Sequence, residues 1–568
     1  MKKLPIALCQ WSRMAATAVL AMTAGLPAQG PACGTWSTAQ TVVAAGNYSL
    51  GGTRHTLAFA PGKKNGKHTT WCLARDDGAS RLFLRRSDDG GDNWQNTDSY
   101  LQTSNQTNGF IAMGNDCKTL HVLFDGVNSS GYSSVYYHAW DTTTGWIGTP
   151  TTIADGASVN WQYNAFDIEV TAKGRVVIAY SCAQPTDPLQ PWFNSWWSCV
   201  LRVAPPPAEG SLAVFGPGTP VNQLPREALN VNLHAVGECV HVAFHSTETS
   251  GTSEIYYRAF DANSGWKHGN VSLGPEAQEA AVVPSITTDD ECGACDYRVY
   301  ILFASRAFGS GQIWLGHAQA SLAGSSSNWS NCLVDNDPPI LANTHQNHFS
   351  LANGEDRGVS VVYSKRGESF RNLYERRYFD GVCNSTTCNI LLTNVNNRFR
   401  YVSGGRSSLV MSHPYVCVSG TDSVELFHDE NTARTVGFGR YTGLLHSVPR
   451  LNATNTPTAL QSFCVTICDA PPNLPGILFF GTTCIPQVDL FNNGGGIFGQ
   501  GSWMMQNWLQ AIPYSTVACA RNSFWKGCFD IPGTVLKGES VYLQAAQVID
   551  PAPLTLVPTN SMAVIFDW

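Results

Sequence analysis

Residues 121–146 read HVLFDGVNSSGYSSVYYHAWDTTTGW, and residues 241–266 read HVAFHSTETSGTSEIYYRAFDANSGW. Twelve positions are identical at a constant offset of 120, among them Phe124/Phe244, Gly131/Gly251, Tyr136/Tyr256, Asp141/Asp261 and Trp146/Trp266. Each copy holds a short apolar run, a polar connection bearing glycine, and an alternating aromatic run closed by Asp, Gly and Trp. That is the period-2 pattern of adjacent antiparallel strands joined by tight turns.

A third variant lies between these two, in GRVVIAYSC (Gly174 to Cys182) and SCVLRVAPPPAEG (Ser198 to Gly210), so the true period is nearer half the offset. Further copies begin near Tyr297, Arg357 and Asp422. One such unit has too little core to stand alone and must stack on its neighbours or close into a ring. Four-stranded units of roughly 40 to 50 residues, longer with insertions, are what propeller blades require. The expected fold is therefore all-β: a six- or seven-bladed β-propeller over residues 34–450. GTWSTAQTVV (Gly34 to Val43) is the expected donor of a closing outer strand. A polar linker (451–462) follows, and then a small C-terminal β-sandwich (463–568) with its own Cys, Gly and apolar patterns.

Composition agrees with this reading. Only 14% of the 568 residues are charged, while the chain has 52 Gly, 17 Trp and 19 Tyr, a balance of turn-rich β proteins. Lys2, Lys3 and Arg13 precede an apolar run from Met14 to Leu26 that ends in small residues, which predicts a signal peptide over residues 1–30. The run is shorter than a membrane-spanning helix needs. The expected location is secreted or cell-surface, with no transmembrane segment in the mature chain. The formal net charge of −7 becomes more negative once those three cations leave, which makes nucleic acid a poor partner. Of 18 cysteines, Cys9 leaves with the signal peptide; an odd number then enters an oxidising compartment, where disulfides are expected. Cys292 and Cys295 form one CxxC, too few ligands for zinc, and neither a metal nor another cofactor is expected.

Residues 84–94, LRRSDDGGDNW, carry Ser87, Asp89, Gly91 and Trp94 in a Ser-x-Asp-x-Gly-x-x-Trp spacing. The Ser and Asp oxygens suit turn amides, Gly supplies backbone angles that a β-carbon forbids, and Trp packs back on the sheet. This stretch resembles the Asp-box, or BNR, repeat of the sialidase-like propeller superfamily, with the Asp and Trp kept at Asp141/Trp146 and Asp261/Trp266 but Ala139 and Ala259 in place of Ser87. The resemblance implies a structural turn on the face away from a ligand site. It also implies the reaction class of an exo-acting glycoside hydrolase, with three Arg clamping a carboxylate, an Asp acid and a Tyr nucleophile paired with a Glu. Arg54, in GTRHTLAFAPG, and Asp77, beside Asp76, stand near the first clamp and acid positions, although His55 and Thr56 replace the family's Ile-Pro. Further clamp candidates are Arg306, Arg357, Arg366 and Arg406; Glu227, Glu375, Tyr363 and Tyr374 are candidate partners. The C-terminal stretches LKGESVYLQAAQVID (Leu536 to Asp550) and LTLVPTNSMAV (Leu554 to Val564) resemble a β-module that recurs at the ends of large exported bacterial proteins.

A separate feature is LQPWFNSWWSC (Leu189 to Cys199), with Trp192, Phe193, Trp196 and Trp197 inside six residues and Cys182 and Cys199 placed to bond across its base. Such a loop either folds its aromatic rings inward or presents them as a platform for sugar faces or a protein. The leading expectation is an exported recognition module for glycan or an extracellular protein, with these four aromatics as ligand-binding residues. The sialidase-type hydrolase is the alternative and a non-binding structural surface protein the second alternative.

Overall fold

The computed structural model describes residues between Gln40 and Ile565, apart from intervening stretches. Those of six residues or more are 156–165, 186–194, 223–228, 278–283, 290–296, 306–311, 337–348, 366–371, 392–400, 405–414, 436–449, 454–461, 486–503, 516–522 and 531–539; 52–55 is among the shorter. The predicted signal peptide and the CxxC at Cys292 and Cys295 fall outside the described residues. Almost all regular structure is strand; two single 3₁₀ turns, Pro275–Ala277 and Ser326–Asn328, are the helical segments among the described residues. No helix among them is long and apolar enough to cross a membrane.

Six antiparallel sheets follow one another along the chain from Tyr48 to Leu391, and a seventh is built from Tyr401–Gly404, Tyr415–Ser419, Val424–His428 and, as its outermost strand, Gln40–Val43. The repeat at offset 120 is the second and fourth sheets. In both, the apolar run and the aromatic run are the second and third strands, paired as Phe124↔Tyr136 and Phe244↔Tyr256. The first strands pack side by side in chain order: Leu57–Lys64 on Gly109–Met113, then Phe166–Val170, Leu229–Val236, Ser285–Thr288, Phe349–Asn353 and Tyr401–Gly404. The seventh sheet packs back on Tyr48–Leu50, so the sheets form a propeller. The expected donor closes it: Gln40 pairs with Leu426 and Thr41 with Glu425.

A sheet buried on both faces needs apolar residues on both, and the hydrophobic clusters lie accordingly as wedges between successive sheets. Leu82, Leu84, Val122 and Phe124 fill the first wedge and Tyr137, Ile168 and Ile178 the next. Val42, Val43, Val424 and Leu426 meet Phe59 and Phe83 where the ring closes.

Around the axis a belt of polar side chains ties the first strands of the third, fourth, fifth and sixth sheets to one another in turn. The Asp167 carboxylate, fully buried, accepts from the Leu233 N–H at 2.7 Å and from the Asn232 side-chain amide. Asn232 Oδ1 in turn accepts from the Ile286 N–H at 2.7 Å, and Ser285 Oγ accepts from the Leu351 N–H at 3.4 Å. Small polar residues are required here because the neighbouring backbone has no strand partner on this side, and a buried N–H without an acceptor is costly.

Two further sheets follow. Pro475–Ile485, Met504–Ser515, Ser540–Pro551 and Leu554–Ile565 form one together with Thr432–Thr435, and Arg450–Ala453, Ser462–Ala470 and Ser523–Asp530 form the other. Thr432–Thr435 pairs with Leu554–Ile565, so the C-terminal sheet takes an edge strand from ahead of residue 450.

Candidate functional site

The two ends of the sheets differ in chemistry. At one end the third strand turns into the fourth. There Ser87 Oγ donates to Asp89 Oδ1 at 2.8 Å and accepts from the Gly91 N–H at 2.9 Å, while the Asn93 N–H donates to Asp89 Oδ1 at 2.9 Å and its side-chain amide to Oδ2 at 2.7 Å. Burial raises the Asp89 pKa, but the bonds from Asn93 and Ser87 outweigh it and leave the group below its ordinary value. The copies behave alike. Asp141 Oδ1 accepts from the Thr143 and Thr144 N–H groups, both at 2.8 Å, and Asp261 Oδ1 from Asn263 and Ser264 at 2.9 and 3.1 Å. The Asp89, Asp141 and Asp261 carboxylates are thus engaged by their own turns, and Trp146 and Trp266 pack edge-on against Trp140 and Phe260.

Gly91 has φ +104° and lies against the closing sheet, where an added β-carbon would run into the Leu426 side chain. Gly91→Ala therefore combines backbone strain with overpacking. It is expected to cost on the order of 2 kcal/mol, read as a lower urea midpoint with unchanged slope; an unchanged midpoint would contradict the packing described.

At the opposite end the second and third strands join in hairpins, and carboxylates gather there. Asp77, in the turn after Lys67–Asp76, accepts from Ser49 Oγ at 3.1 Å and pairs with Arg75 at 3.2 Å. In the second sheet Asp155 accepts from Asn128 Nδ2 at 2.6 Å and Ser134 Oγ at 3.1 Å. Glu254 in the fourth accepts from the hydroxyls of Tyr256 and Ser272. Asp335 in the fifth accepts from the Tyr363 hydroxyl of the sixth at 3.1 Å and pairs with Lys365 at 3.3 Å. Asp155 is exposed, and Asp77 and Glu254 are half-buried. Each carboxylate already takes at least one hydroxyl donor.

The third sheet differs at this end. Its hairpin strands, Val176–Pro185 and Ser195–Ala204, are flanked as far as Cys199, whose carbonyl accepts from the Val221 N–H at 2.8 Å. The four pairs beyond, from Cys182↔Ser198 to Pro185↔Ser195, have no third strand beside them among the described residues. They make a two-stranded arm about 13 Å long at strand rise. Trp197 pairs with Ala183 and Trp196 with Gln184 on this arm. Trp192 and Phe193 lie outside the described residues. Cys182 pairs with Ser198 and Cys199 with Ser181, so the register puts the two cysteines on opposite faces of the hairpin, against the bond expected between them.

The hydrolase candidates are not brought together by what is described. Arg54, Arg306, Arg357, Arg366, Arg406 and Glu227 lie outside the described residues. Asp77 is engaged by Arg75 and the Ser49 hydroxyl, and none of the candidate arginines or tyrosines is seen beside it among the described residues. Glu375 is fully buried, accepting from Ser360 Oγ at 2.6 Å and Arg377 Nε at 2.8 Å. Cross-strand partners share a face, and Glu375 pairs with Val362 whereas Tyr363 pairs with Tyr374. Glu375 therefore sits on the opposite face from both tyrosines and activates neither.

One constellation was not foreseen. Glu169, His234 and Thr288 lie on three successive first strands, with Glu169 Oε1 at 3.7 Å from His234 Nδ1 and His234 Nε2 at 3.1 Å from Thr288 Oγ1. A carboxylate, imidazole and hydroxyl in series is the order used in nucleophilic catalysis. However, His234 and Thr288 are each only 4% exposed, so a substrate has no access to the hydroxyl. The array repeats, two residues along, the Asp167–Asn232–Ile286 ladder, and its work is to hold three sheets together.

No family model matches the chain, and no curated protein matches it. Solved structures similar to it include the polysaccharide lyase Uly1, with 10% identity and TM-score 0.41 over 72% of this chain and 93% of the lyase. The fucose-binding Aleuria aurantia lectin, described as a six-bladed β-propeller, matches with 12% identity and TM-score 0.33 over 59% of this chain and 95% of the lectin. Trypanosoma rangeli sialidase with the inhibitor DANA matches with 9% identity and TM-score 0.38 over 92% of this chain and 97% of the sialidase. At these values the likenesses add nothing to what the chain's own sheets establish.

Proposed function

We propose that this chain is a glycan-recognition propeller that works outside the cell, secreted or held at its surface. Its ligand face is the hairpin end, and a C-terminal β-sandwich serves attachment. The observation that carries the reading is the arm of the third sheet, a ribbon extending past its own sheet with Trp196 and Trp197 on it. Two strands with no neighbour among the described residues gain little from their own pairing, and a binding contact gives such an arm a reason to carry tryptophans. The rim supplies the other half of sugar recognition. Asp77, Asp155, Glu254 and Asp335 are acceptors that already take hydroxyl donors, and sugar hydroxyls are donors of that kind. Acceptors of one sign at this end suit a neutral glycan, and the net charge of −7 disfavours a polyanionic one.

The test is a glycan-array screen followed by calorimetry on the best neutral oligosaccharide. Trp196 and Trp197 fall on opposite faces of the arm, so one of Trp196→Ala and Trp197→Ala is expected to weaken binding roughly 30-fold, the loss of a hot-spot aromatic, with unchanged circular dichroism. No ligand on the array would leave the structural-protein reading in its place, and parental affinity in both variants would remove the arm as the contact surface. Release of a monosaccharide during the titration would favour the hydrolase.

A further inference from the structure

Cys332 lies on Ser330–Asp335, the outermost strand of the fifth sheet, and Cys383 on the connection after Leu373–Phe379 of the sixth; a disulfide joins them, with Cα atoms 5.2 Å apart. His317 belongs to the adjoining strand, Gln312–Gln319. Register pairs Leu315 with Cys332 and His317 with Ser330, so His317 and Cys332 are diagonal neighbours on one face of the sheet. A ring nitrogen of His317 and both sulfurs lie within 4.8 Å of one another. The imidazole is only 5% exposed; Nδ1 faces Arg298 Nη1 at 3.5 Å, and Nε2 has no hydrogen-bond partner among the described residues. A buried ring nitrogen without a partner is costly, and beside two sulfurs it completes a donor set that a sheet needs for no structural purpose.

We propose that His317, Cys332 and Cys383 form a zinc site when the disulfide is open. Two thiolates and a neutral imidazole match the ligand preference of a borderline-soft divalent ion, and three protein ligands leave the fourth tetrahedral position to water. Opening needs a reductant. With a phosphine, the sulfur–sulfur bond breaks, the phosphine takes oxygen from water to become the phosphine oxide, and both sulfurs become thiols. Each thiol then gives its proton to the buffer as it binds Zn²⁺. The two states are mutually exclusive, because a sulfur in the disulfide is not a thiolate. Both join the fifth and sixth sheets at the same place, so the link persists in oxidising and in reducing surroundings.

The experiment uses the full chain reduced with a phosphine, desalted without oxygen and titrated with Zn²⁺ or, as a spectroscopic probe, Co²⁺. With 18 cysteines present, the readout must be specific to the site. Zn²⁺ is expected to slow iodoacetamide labelling of the exposed Cys383, mapped by mass spectrometry, at least tenfold. Reduced parent chain should also bind one more equivalent than Cys383→Ser. His317→Gln, which keeps both thiols, should raise the Zn²⁺ concentration that gives half-maximal protection at least tenfold. Co²⁺ should give the intense visible bands of a tetrahedral sulfur-ligated ion, and those bands should be absent from the oxidised chain. Labelling of Cys383 at the same rate with and without Zn²⁺, or an unchanged half-maximal Zn²⁺ concentration in His317→Gln, would overturn the proposal. Should Cys383→Ser fold poorly, the labelling comparison between parent and His317→Gln decides alone.

Discussion

Asp167→Ala is expected to lower the free energy of unfolding by about 3 to 5 kcal/mol, the size found when one partner is removed from a buried charged network. The carboxylate is fully buried and serves two groups of the next sheet, the Leu233 N–H and the Asn232 amide, besides the Ile168 N–H at 2.9 Å. Alanine leaves all three without that acceptor. Asp167→Asn keeps one carbonyl oxygen and should lose less, about 1 to 2 kcal/mol. Urea denaturation followed by tryptophan fluorescence measures both. A loss below about 1 kcal/mol for alanine would mean that the belt around the axis contributes little.

The second large effect is in pH. His121 is buried, with Nδ1 at 2.8 Å from the Tyr137 hydroxyl. Burial brings its pKa down to about 4, Asp116 opposing only in part. In the unfolded chain the imidazole titrates near 6.5. Between the two values the unfolded state holds the extra proton, so stability is complete above pH 6.5, falls as pH drops towards 4, and levels off below. For His121 alone the loss is on the order of 3 kcal/mol. Burial shifts His138 and His268 the same way, which steepens the fall. Asp89, Asp141 and Asp261 have lowered values, so their contribution is lost only below about pH 4, in a separate window. Denaturation midpoints measured from pH 7 to 4 check this, with His121→Asn as the comparison. A parent chain whose midpoint is flat over that range would show that His121 is protonated in the fold.

These residues also show where the sequence speaks and where it is silent. The second and fourth sheets were legible because each strand pair is local. Phe124 and Tyr136, or Phe244 and Tyr256, are near in sequence and repeat at one offset, so periodicity reports them directly. The closing strand was legible for a different reason, since a ring needs an outer strand and GTWSTAQTVV was apolar and unassigned. Asp167, Asn232 and Ser285 were not, because each acts on a strand of the next sheet and the first strands share only a small polar residue before an apolar one. The candidate pair of Glu375 with a tyrosine failed on register alone. Composition places a Glu beside Tyr374 in sequence, but alternation sends consecutive side chains to opposite faces. The arm of the third sheet was visible as an aromatic cluster, whereas its extension past the flanking strands became visible only once Cys199 was seen to be the last flanked position.

The outer strand Gln40–Val43 also governs when the ring can close. Its partner, Val424–His428, lies almost at the far end of the propeller, so the pairing that joins the two is among the most non-local contacts in the chain. A contact of such sequence separation bears the full entropy of loop closure before it returns anything. Single sheets, built from neighbouring strands, bear little of it. Assembly therefore runs sheet by sheet from local hairpins, and circularity is a late event, reached only after the chain has been made nearly to its C-terminal sheets. Until then the chain is an open arc, with the edge of Val424–His428 unpaired and available to any other strand.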